Sequence, residues 1–101
     1  MEVKVDHQYS QDIALEKMKH FFEQMKREHG DKVTDLKEDW NGASGDYSCK
    51  FNGMALNGHI DVNEHDVTLI GKLPFFAMPF KSVIESTIRT AVTNALNADI
   101  A

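Results

Sequence analysis

Residues 47–73 read YSCKFNGMALNGHIDVNEHDVTLIGKL, and this stretch decides the fold. Tyr47, Cys49 and Phe51 alternate with Ser48, Lys50 and Asn52. Met54, Leu56, Gly58, Ile60 and Val62 alternate with Ala55, Asn57, His59 and Asp61. Val67, Leu69, Gly71 and Leu73 alternate with Thr68, Ile70 and Lys72. Successive runs of period two are the mark of an antiparallel meander with one face toward a core and one toward water.

The pairing register follows from the turns. Asn52-Gly53 between two such runs specifies a two-residue hairpin, because both central residues of a type I′ turn need positive φ. It sets Phe51 opposite Met54, Cys49 opposite Leu56 and Tyr47 opposite Gly58. A turn at Asn63-Glu64-His65-Asp66 then sets Val62 opposite Val67, Ile60 opposite Leu69 and Gly58 opposite Gly71. Both turns direct the same apolar set to one face, and a slip of one residue would turn that whole set to solvent.

Upstream, Val3, Val5, His7 and Tyr9 alternate with polar residues and predict a first strand. Ser10 then caps a helix running from Gln11 to about His29, with Asp12 at its positive end. Ala14, Leu15, Met18, Phe21, Phe22 and Met25 form its apolar stripe, and Gly30 ends it. A weaker strand covers Val33 to Trp40, with Thr34, Leu36, Glu38 and Trp40 on one face, and Asn41–Asp46 reads as a loop.

Downstream, Pro74 stops the last strand because it has no N–H to give to a ladder. Pro79 suits the first turn of a second helix, in which Phe80, Val83, Ile84, Thr87, Ile88, Ala91, Val92, Ala95 and Leu96 fall at helical spacing. The expected architecture is a single α+β domain over residues 1–101, in the order β-α-β-β-β-β-α. Two long helices grip one face of a curved antiparallel sheet, as in a helix-grip fold.

A chain of 101 residues, 42% of them hydrophobic, suffices for one core. Sixteen acidic against eleven basic residues give a net charge of −5, which argues against binding nucleic acid. Met1–Ser10 lacks the features of a signal peptide, and no run is long and apolar enough to predict a transmembrane segment. The lone Cys49 cannot form an internal disulfide and suits a reducing cytoplasm.

No catalytic constellation emerges. Cys49, on the inward face, reads as an inert thiol. His59 and Asp61 share the outward face of one strand, with Glu64, His65 and Asp66 in the turn beyond. Without a second histidine at ligand spacing or a cysteine partner, they read as a solvated polar face, and no metal or other cofactor is expected. His7 reads as a half-buried structural histidine, and a catalytic role for it with the Trp40 loop is remote. Gly58 and Gly71, adjacent on the inner face beside Tyr47, admit two readings. Tyr47 lies over Gly58 in a curved sheet, or the missing side chains leave a cavity for an apolar ligand between the sheet and Ile84 and Ile88 of the last helix. Phe75, Phe76, Met78 and Phe80 concentrate apolar mass in a Pro-bracketed connection. They either close the end of the core or form an exposed patch for a partner.

Across nearly the whole chain the residues resemble the small polyhydroxyalkanoic acid system proteins, encoded near the genes of bacterial polyester storage granules. The carriers are Val3-Lys4-Val5-Asp6-His7, Trp40-Asn41-Gly42, Phe51, Gly58-His59-Ile60-Asp61-Val62, the Val67–Leu73 strand, and Pro79-Phe80-Lys81 leading to Ile84-Glu85 and Ile88. Ala43-Ser44 lengthens the loop after Trp40 relative to that pattern, and Leu73-Pro74 replaces a commoner Leu-Gly. The resemblance implies a cytoplasmic protein associated with polyhydroxyalkanoate metabolism or granule surfaces, and it carries no catalytic residues. The expectation is a non-enzymatic accessory protein that binds granules or granule proteins through Phe75–Phe80 and the C-terminal helix. The alternative is a carrier of an acyl-type ligand over Gly58 and Gly71. A homodimer through the same phenylalanine segment is the competing use of those residues.

Overall fold

The computed structural model describes residues 1–28, 33–51 and 53–98. In chain order these form β1 (Glu2–Asp6), α1 (Gln11–Glu28), β2 (Val33–Asn41), β3 (Ser44–Phe51), β4 (Met54–Val62), β5 (Asp66–Lys72), a 3-10 turn (Phe75–Phe80) and α2 (Lys81–Asn97). The five strands make one antiparallel sheet in the order β1-β5-β4-β3-β2, with both helices on one face. The expected α+β architecture is therefore observed, with one short helical turn added before α2.

The meander has the predicted register throughout. Tyr47 pairs with Gly58, Cys49 with Leu56 and Phe51 with Met54; Gly58 pairs with Gly71, Ile60 with Leu69 and Val62 with Val67. Gly53 takes φ +83, as the turn demands, whereas Asn52 lies outside the described residues, as do His29 and Gly30. β1 returns to pair with β5, Val3 opposite Leu69 and Val5 opposite Val67. Consequently α1 must carry the chain from one sheet edge to the other. Its 18 residues, about 27 Å at ~1.5 Å each, exceed the roughly 19 Å of four inter-strand steps. Ser10 starts it as expected, its Oγ accepting from the Ile13 N–H at 3.2 Å.

The core is where these faces meet. Val3, Val5, Ile60, Val62, Val67 and Leu69 of the sheet close against Ala14, Met18 and Phe22 of α1 and Val92 and Leu96 of α2.

β1 ends at Asp6, short of His7 and Tyr9, and three further local expectations need correction. First, the β2 alternation breaks at a bulge. Thr34 pairs with Lys50 and Lys37 with Ser48, so Asp35 and Leu36 together oppose Cys49. Asp35 takes φ +55, a left-handed conformation that aspartate tolerates. Val33 points inward before the bulge and Leu36, Glu38 and Trp40 after it, while Thr34 is exposed. Second, Asn41–Asp46 is not a loop. Pairing runs on to Asn41 opposite Ser44, leaving only Gly42 (φ +65) and Ala43 as the turn. The Ala43 carbonyl accepts from Val62 N–H at 2.8 Å, which ties that turn to the end of β4.

Third, the α2 stripe is buried only in its second half. Val92 and Leu96 are inside and Ile84, Ile88, Ala91 and Ala95 are half-buried, but Phe80, Val83 and Thr87 are exposed. Pro79 belongs to the 3-10 turn rather than to α2, which starts at Lys81. Periodicity reveals that a helix has an apolar stripe; it does not reveal how far the sheet beneath extends.

Candidate interaction surface

β5 ends at Lys72, whose partner is Asn57. From there the chain leaves the sheet. Pro74, in extended conformation, opens the 3-10 turn, and its carbonyl accepts from the Ala77 N–H at 2.9 Å. Ala77 is the inward peg of this turn, 1% exposed, and the Lys81 N–H closes it onto the Met78 carbonyl. Next, α2 runs back along β1, where a Glu85 carboxylate oxygen accepts from the Glu2 N–H at 3.0 Å. The turn is thus held at both ends and at its centre.

What it holds outward is apolar. Phe75 is 92% exposed, Phe76 64%, Phe80 61%, Met78 50% and the neighbouring Val83 65%. Between Leu73 and Ile84 the only charge is Lys81. Taking ~200 Å² for a phenyl side chain, the rings with Met78 and Val83 present on the order of 600 Å² of apolar surface. That is the upper end of the largest patch on ordinary monomers. Phe75, Phe76 and Met78 therefore do not fold over the core, and Phe80 does not join the buried stripe.

The same end of the sheet is thinly covered. β4 continues through Leu56 to Met54 past the point where β5 stops. Along the inner face of β3 burial declines from Gly45, buried, through half-buried Tyr47 and Cys49 to exposed Phe51.

The space directly over the glycine pair is occupied by neighbouring atoms. A Cβ on Gly58 would meet the Ile70 carbonyl oxygen at 2.0 Å and the Tyr47 hydroxyl at 2.7 Å; one on Gly71 would meet the Met1 methyl at 2.6 Å and the Tyr47 hydroxyl at 3.0 Å. Tyr47 donates to the Ile70 carbonyl at 3.3 Å, and burial pushes its phenol up to about 12. Among the described residues, one hollow lies beside His7, Tyr9 and Leu96 and another beside Leu36, Glu38 and Tyr47; neither borders Gly58, Gly71, Ile84 or Ile88. Of the two readings of the glycine pair, the one with Tyr47 lying over Gly58 matches the described residues.

The histidine candidates are bonded to neighbouring groups of the fold. His7 is buried, its Nε2 bonded to the Asn63 carbonyl at 3.0 Å and its Nδ1 accepting from the Tyr9 N–H at 3.1 Å. Burial raises the Cys49 thiol above its usual range, which disfavours the nucleophilic thiolate. On the outer face, the His59 imidazole lies between Asp46 (2.9 Å) and Asp61 (3.0 Å), and Ser44 donates to Asp61 at 2.6 Å. The bonds to Asp46 and then Asp61 hold the imidazolium form and raise the His59 pKa, while the Ser44 hydroxyl lowers that of Asp61. No group of three or more metal-ligating side chains converges among the described residues.

Sequence reasoning missed Lys17. Buried on α1, it donates through Nζ to the Ala98 carbonyl beyond the end of α2 and lies 4.7 Å from the centre of the Tyr9 ring. A lysine between apolar stripe positions reads as solvent-facing; only the docking of α2 explains it.

A family profile described as "Putative polyhydroxyalkanoic acid system protein" matches residues 1–96. No curated protein and no solved structure matches the chain. Among the described residues no helix is long and apolar enough to cross a membrane.

Proposed function

We propose, since the chain belongs to the polyhydroxyalkanoic acid system family, that it is a non-enzymatic accessory protein that docks on polyester granules through Phe75, Phe76, Met78, Phe80 and Val83. The observation that carries this reading is a set of aromatic side chains displayed to solvent by a turn whose own anchor, Ala77, is buried. Folded chains do not hold rings in water for stability, because burial of such a side chain is worth roughly 1.5–3 kcal/mol. A polyester inclusion presents an extended apolar surface at which that energy is recovered, while the net charge of −5 keeps the free domain soluble. The reading places the protein in the cytoplasm, at the granule surface. A carrier role over the glycines has less support, since Tyr47 and Met1 fill that space.

Co-sedimentation with purified polyhydroxyalkanoate particles tests the proposal. Wild-type protein pellets with the polymer, and Phe75→Ser/Phe76→Ser remains in the supernatant with an unchanged circular dichroism spectrum. Equal pelleting of the two proteins overturns it.

A further inference from the structure

We infer that, away from any granule, the Phe75–Val83 patch is covered by a second copy of this chain in a two-fold homodimer. The inference takes from the previous reading only that the patch is an interaction surface, and it stands whether or not the chain binds polymer.

The area supports a second copy as occupant. Two patches of the size given above would together bury on the order of 1,200 Å², the lower bound of specific protein interfaces. Half-buried Met54 and Leu56 and the exposed Phe51 lie at the same end of the sheet. A two-fold interface must also be complementary to itself. At a net charge of −5 two copies repel each other as wholes, but Leu73–Ile84 has no acidic residue and only Lys81, so contact through this segment adds no acidic pair to that long-range repulsion. Lastly, Ala77 and the Met78–Lys81 bond fix the turn in advance, so little ordering entropy opposes association. An interface this small exchanges readily. The rings are then hidden in solution and released for an apolar surface, so self-association and surface docking compete.

Sedimentation velocity on the full chain, from about 1 to about 300 µM, reads the result, because a Kd in the micromolar range falls within that span. The wild-type weight-average mass climbs toward twice the monomer mass as concentration rises. Phe75→Ser/Phe76→Ser stays monomeric throughout, as does Val83→Arg, which adds a charge at an exposed helical position and leaves the core alone. Added salt screens the repulsion between the acidic domains and shifts the wild type toward dimer. A wild type that stays monomeric, variants that dimerise as it does, or dissociation by salt each overturn the inference. A dimer that ignores polymer particles would refute the granule reading alone; a monomer that binds them would refute only this one.

Discussion

The Tyr47 ring lies across Gly58, with its hydroxyl where a methyl on Gly58 would sit 2.7 Å away. The backbone is closer still, the Ile70 carbonyl oxygen being 2.0 Å from that methyl. Gly58→Ala must move the sheet itself, and we predict a loss of about 2–3 kcal/mol in urea unfolding. At Gly71 the nearest obstacle is the flexible end of Met1. Gly71→Ala therefore costs less, and equal losses at the two positions would contradict this packing.

Lys17 joins the two helices. In Lys17→Met the stem still packs, but the Ala98 carbonyl loses its donor and the Tyr9 ring its cation. The expected loss is about 1–3 kcal/mol, measured by chemical denaturation. A neutral result would mean that water serves that carbonyl equally well.

His59 should titrate above its ordinary value of 6.5, because Asp46 and Asp61 both bond its imidazolium form. A raised native pKa means that the stabilisation is complete below 6.5 and disappears as pH rises through the native value. Asp46→Asn should bring the His59 midpoint down in an NMR titration. A wild-type midpoint at or below 6.5 would contradict the clamp.

Within the patch, stability and binding separate. Phe75→Ser/Phe76→Ser removes exposed rings and should change unfolding free energy by no more than about 0.5 kcal/mol. Ala77→Leu forces bulk into the one buried position of the turn and should cost about 1–3 kcal/mol by thermal or urea unfolding. The reverse order would place the rings inside.

Much of this was legible in the sequence for an identifiable reason. Asn52-Gly53 and the four-residue turn at Asn63 fix register locally, and the alternation then places the inward residues of β4 and β5 and those of β3 from Tyr47 onward. Where local patterns do not determine the outcome, legibility ended. The bulge at Asp35 shifts the inward face of β2, yet no residue there demands one. Asn41–Asp46 looks like a loop by composition but pairs because Gly42, at positive φ, and Ala43 suffice for the turn. The candidate patch was half legible. Phe75, Phe76 and Met78 stand out as apolar mass between prolines, but their exposure depends on where β5 stops and how far α2 overlaps β1. The same applies to Phe80 and Val83, which read as core by periodicity and emerge in water.

The central claim is that this turn is the face that meets the polymer. Amide hydrogen exchange, compared between free protein and protein bound to polyhydroxyalkanoate particles, tests it most directly. The account predicts new protection concentrated over Phe75–Ile84, with β2 and α1 unchanged. Protection centred on β2 or α1, with Phe75–Ile84 exchanging as in the free protein, would contradict it.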